Sequence, residues 1–150
     1  MLDKLMIRLL ALCLFSFICA NVYAFDLVGT WKLISIEKQD KTNTWEPDCH
    51  SPTGLLTYTA SGYMAAGINC MKSTNSNEPS FNMQDMTFYI GKYTMNGNEV
   101  IHHVQNASDR NYYGKNLVRK LQVINKNQLV LIVKGKNENL VRLKWLRLSY

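Results

Sequence analysis

From residue 27 onward, apolar side chains recur at every second position or in short β-branched and aromatic runs, and turn-forming clusters interrupt them about every ten residues. The pattern predicts strands over residues 27–39, 54–59, 63–70, 86–95, 99–105, 117–125, 128–134 and 140–148. On the first of these, period-two alternation sets Trp31, Leu33 and Ser35 on one face and Lys32, Ile34 and Ile36 on the other. Ala60-Ser61-Gly62, Asn96-Gly97-Asn98 and Lys126-Asn127 supply hairpin turns, the second being the strongest turn signal in the chain. Residues 40–52 are polar, and Pro47 and Pro52 exclude a central strand there. Residues 71–85, rich in Asn and Ser, and residues 106–116 read as loops. No stretch shows a convincing amphipathic helical period.

Eight strands joined mostly by short turns predict an all-β domain, an eight-stranded antiparallel up-and-down β-barrel, with a sandwich as the alternative. Closure is preferred because consecutive hairpins need no long Greek-key return. The length of 150 residues and the 47% hydrophobic content fit one domain with a sizeable core.

Residues 1–24 have a different pattern. Lys4 and Arg8 precede an apolar run from Leu9 to Ile18, and Val22-Tyr23-Ala24 is a small-residue exit. This predicts a signal peptide cut after Ala24 and a domain over 25–150, exported to a periplasm or secreted. A membrane anchor is the competing reading, but the run is about half the roughly 20 residues a span requires. A lipid anchor at Cys19 lacks the usual small residue before the cysteine.

Loss of the leader removes two of the four cysteines and leaves Cys49 and Cys70, which are expected to form a disulfide in an oxidising compartment. There is no CxxC, so neither thiol redox catalysis nor a thiolate zinc site is supported. The leader also carries Lys4, Arg8 and Asp3, so the net charge falls from +6 to +5. Basic residues gather after Arg110 but alternate with apolar ones, the pattern of a solvated sheet face and not of a nucleic-acid surface.

Few residues suggest chemistry. His102 and His103 are adjacent on a strand and point to opposite faces, so they cannot share a metal ion. Val100, His102 and Val104 are assigned to the interior and His103 to the exterior; His50 is expected at the surface. Leu117, Arg119, Leu121 and Val123 share a face, which puts a permanent cation among apolar side chains. Arg119 then either pairs with an internal acid such as Glu99 or holds an acidic group of a ligand. Tyr58, Tyr63, Met64, Phe88, Tyr89, Tyr93, Met95, Tyr112 and Tyr113 supply aromatic and thioether surface for a pocket or for ordinary core. No G-x-S-x-G, H-E-x-x-H, P-loop or dinucleotide G-x-G-x-x-G is present, and no cofactor is implied.

Gly29-Thr30-Trp31-Lys32-Leu33, Gly54-Leu55-Leu56-Thr57-Tyr58-Thr59, Gly62-Tyr63-Met64, His102-His103-Val104 and Arg119 occur in an order that resembles the bacterial and fungal lipocalin-like domain proteins. The resemblance covers essentially the whole chain beyond the leader. It implies a small barrel with a central cavity, with Gly29 and Trp31 in a structural G-x-W signature and Arg147 stacked on Trp31. The leader, the Cys49 and Cys70 pair and a polar insertion around residues 73–82 depart from the compact cytosolic members.

Three functions are compatible with these residues. The first is capture of a small, mostly apolar or weakly acidic molecule by Tyr58, Met64, Tyr89, Tyr93, His102 and Arg119. The second is an isomerase, cyclase or hydrolase in which His102 is acid or base and Arg119 or Tyr58 stabilises negative charge. The third is a filled barrel serving protein interaction. No nucleic acid partner and no lasting membrane anchor are expected.

Overall fold

The computed structural model describes residues 25–70, 86–135 and 138–148. The expected leader at residues 1–24, the predicted loop at 71–85 and the polar insertion lie outside them. The described residues form nine strands: β1 (Gly29–Gln39), β2 (Trp45–Pro47), β3 (Thr53–Tyr58), β4 (Tyr63–Asn69), β5 (Met86–Asn96), β6 (Glu99–Ala107), β7 (Asn116–Asn125), β8 (Gln128–Lys134) and β9 (Leu140–Arg147). From β3 to β9 each strand pairs antiparallel with the next; β3 also pairs with β1, and β9 returns to β1. The result is a closed eight-stranded up-and-down barrel with β2 as an additional strand on β1. Closure removes the exposed edges that an open sheet of this length would present.

Turn chemistry places the hairpins where the sequence predicts them. Gly62 takes φ +82° and its N–H donates to the Thr59 carbonyl, and Gly97 takes φ +59° between Asn96 and Glu99, which face each other. Three details differ from the sequence reading. Trp45–Pro47 is a strand, although a short one outside the barrel wall, where Pro47 needs no second ladder. β6 continues to Ala107, beyond the expected end of the strand. In β1 a bulge between Leu33 and Ser35 shifts the alternation, so Ile36 is buried with Trp31 and Leu33.

A second irregularity lies between Ile90 and Gly91. A Cβ at Gly91 would sit 2.0 Å from the His103 carbonyl oxygen, so only glycine permits this approach of β5 to β6. It brings β5 against the strand that carries His102.

The two ends of the barrel are built differently. At one, Leu27 is buried and accepts a hydrogen bond from the Trp31 indole across 3.1 Å. Arg147 caps that contact: its guanidinium carbon lies 4.1 Å from the Trp31 ring centroid, and its N–H groups donate to the carbonyls of Val28, Asp26 and Lys126. At the other end, the disulfide Cys49–Cys70, with a Cα separation of 5.6 Å, fastens the β2–β3 connection to the end of β4. Glu37, Arg142 and Lys144 form an ion-pair cluster on the wall beside it. Burial pushes the Glu37 carboxyl up, but hydrogen bonds from Lys144, Arg142 and Ser35 outweigh that and hold it below its ordinary value.

Candidate functional site

The period-two alternation of β3, β5 and β6 directs Tyr58, Tyr89 and His102 inward, and register sets them around one point. The imidazole of His102 is 1% exposed and lies between the two phenols: Tyr58 Oη is 2.7 Å from Nε2 and Tyr89 Oη 3.0 Å from Nδ1. Tyr93 packs edge-on against Tyr58, 4.7 Å between ring centroids, and donates its hydroxyl to the Thr59 carbonyl. Tyr112, from the β6–β7 connection, packs edge-on against Tyr89.

Burial, reinforced by the charges of Arg119 and His103, lowers the His102 pKa to about 3, so the ring is neutral at pH 7. Burial raises Tyr58 well above the usual phenol range and raises Tyr89 as well, where the nearby charge of Arg119 opposes the shift.

Polar satisfaction then orients the protons. Tyr58 is 1% exposed, and His102 Nε2 is its hydroxyl's partner, so the Tyr58 O–H donates to Nε2. A neutral ring accepting at Nε2 carries its proton on Nδ1 and donates it to Tyr89 Oη. Tyr89 thus accepts from His102, which leaves its own hydroxyl proton to be given elsewhere.

Tyr89 and Arg119 line an interior cavity of about 120 Å³. Its walls are mainly apolar: Leu56, Ala66, Ile68, Leu131, Val133 and Leu143, with Trp145, Tyr112 and Thr87. These residues lie on the inner faces of strands toward the disulfide-bearing end. Of the residues expected to meet a ligand, Tyr89 and Arg119 therefore reach the cavity. Tyr58, Met64 and His102 are packed in the core beneath it, and Tyr93 is half-buried beside Tyr58. Tyr63, Phe88, Met95 and Tyr113 face outward. The wall residues Leu56, Ala66, Ile68, Leu131 and Val133 carry no chemical signal beyond alternation, and their convergence follows from barrel register alone.

The expected pairing of Arg119 with Glu99 does not form. Glu99 lies across from Lys120, whereas Arg119 lies across from Val100, so successive side chains put the acid outside and the guanidinium inside. Among the described residues the ion pairs are Lys38–Asp48 and Glu37 with Arg142 and Lys144, and none involves Arg119. His103 is on the outer face as expected, bonded to Thr94 and Asn116. His50 is exposed.

A family model described as a lipocalin-like domain matches residues 28–147. Among solved structures, a redesigned beta barrel is 10% identical, with a TM-score of 0.46 over 82% of this chain and 92% of that one. An uncharacterized protein from Bacteroides eggerthii DSM 20697 is 13% identical, with a TM-score of 0.47 over 82% of this chain and 100% of that one. No curated protein matches. The matched segment runs from just before β1 to the end of β9 and takes in the G-x-W turn, the Tyr58–His102 pair and Arg147, so the chain belongs to the lipocalin-like domain family.

Proposed function

We propose that this protein is an exported binder of a small, mostly apolar molecule held in the barrel's central cavity. The observation that carries the reading is the cavity itself, about 120 Å³ with largely aliphatic walls. An engineered apolar cavity of about 150 Å³ accepts benzene, so a ring or a short branched chain is the size of group that fits. Export is supported by the leader pattern and by a disulfide of the kind that persists in oxidising compartments. The domain then works in solution, with no lasting membrane anchor and no nucleic acid partner.

Acid–base catalysis by His102 is the less favoured reading. Both ring nitrogens are already bonded to buried phenols, and the ring does not line the cavity. A filled barrel used only for protein contacts leaves the cavity without a purpose.

Native mass spectrometry of protein recovered from cells expressing the full chain tests both parts. The expected result is a polypeptide beginning at Phe25, carrying a small molecule that leaves on denaturation. An empty protein whose melting temperature no apolar or acidic compound raises would overturn the binding reading. A retained leader would overturn export.

A further inference from the structure

The polar side chains that meet the cavity supply donors. Arg119 has a guanidinium with no carboxylate partner among the described residues. Trp145, 1% exposed, lines the same space, and its indole Nε1 is buried without a hydrogen-bond partner among the described residues. An indole can only donate. Tyr89 accepts from His102, so it too has a proton to offer. Thr87 carries a hydroxyl that can either donate or accept. Asn69 Oδ1, the other such atom among the described residues, is an acceptor, but Asn69 is not part of the lining.

A buried donor without an acceptor is costly, and an apolar ligand would leave the Trp145 indole and the Tyr89 hydroxyl unmet and the Arg119 charge uncompensated. We propose that the cavity is made for the carboxylate of a small apolar acid, received by the Arg119 guanidinium, the Tyr89 hydroxyl and the Trp145 indole, with its hydrocarbon part against the aliphatic wall. A monoanion neutralises the single cation of the site, and the walls offer a second negative charge nothing. His102 is a positioning residue in this arrangement. By taking the Tyr58 proton at Nε2 and giving its own at Nδ1, it compels Tyr89 to act as a donor toward the cavity.

This inference rests on the binding reading above and is tested apart from it with benzoate and its neutral counterpart toluene. Both are titrated into the protein expressed from the full chain, with binding followed by calorimetry and by amide NMR shifts. The expected result is that benzoate binds more tightly than toluene. Arg119→Gln should weaken benzoate at least about tenfold and leave toluene unchanged, and Arg119→Lys should fall between. Tyr89→Phe should weaken benzoate about threefold or more, again without affecting toluene. If Tyr89→Phe does not fold, the half-buried Arg119 carries the test through its two variants. Toluene binding as tightly as benzoate, or an unchanged benzoate affinity in Arg119→Gln, overturns the carboxylate assignment and leaves the binding reading standing. Failure of both compounds to bind overturns both.

Discussion

The Tyr58 hydroxyl and His102 Nε2 meet across 2.7 Å in the middle of the barrel, 44 residues apart in sequence, and the contact decides the tautomer of the ring. It joins β3 to β6, strands that are not neighbours in the sheet, so the bond spans the lumen and does not run along a ladder.

Tyr58→Phe removes the donor and leaves a buried imidazole nitrogen without a partner. The expected loss is about 1–3 kcal/mol in denaturant unfolding. Tyr93→Phe, which gives up a half-buried bond to the Thr59 carbonyl, should cost less, about 1 kcal/mol. Equal losses would show that the lumen bond has no special weight.

His102 makes stability depend on pH. Its folded pKa of about 3 lies below the ordinary value of 6.5, so between these limits the unfolded chain binds a proton that the folded one does not. Stability is therefore full above pH 6.5 and falls on acidification, by about 1.4 kcal/mol per pH unit. The window from pH 6.5 to 5 lies above the range in which Glu37 protonates. Urea midpoints measured at both ends of it should differ in the wild type and converge in His102→Gln.

Gly29→Ala is expected to be severely destabilising, by more than about 2 kcal/mol. The backbone there has φ +138°, and a Cβ would stand 2.8 Å from an Arg147 nitrogen. Arg147→Lys should cost about as much, because an ammonium can neither stack on Trp31 nor reach the carbonyls of Val28 and Asp26 together. Thermal unfolding of both variants checks this, and a loss confined to Gly29→Ala would place the effect in the backbone alone.

Reduction of Cys49–Cys70, or its replacement by serines, should lower stability by about 3 kcal/mol, the loop-closure value for a sequence separation of 21. Thiol titration before and after unfolding, paired with denaturant curves, gives the outcome. Reactive thiols in the native oxidised protein would contradict the bridge.

Much of the fold was legible in the sequence because barrel strands are half-buried, and period two reports burial directly. Val100, His102 and Val104 were assigned inward on that basis and are buried. Where one extra residue enters a strand the rule inverts, and for that reason Ile36 was placed on the wrong face. Alternation also marks Arg119 as an interior cation, but of its two expected partners the acid Glu99 is out of reach, because residues facing each other across a ladder share a face and the register puts Val100 there. The Tyr58–His102–Tyr89 chain was not legible as a unit. Alternation says that each residue points inward, while their meeting depends on barrel radius and shear, which no local pattern encodes.

The seam between β1 and β9 joins the first strand of the barrel to the last. The other wall strands meet partners close to them in sequence, so hairpins can form and dissolve locally, whereas the cylinder is complete only when β9 reaches β1. Trp31, on β1, therefore waits for Arg147, on β9, before its ring is covered. Until that seam forms, the wall is an open sheet with two free edges, and the interior has no lid on either of them.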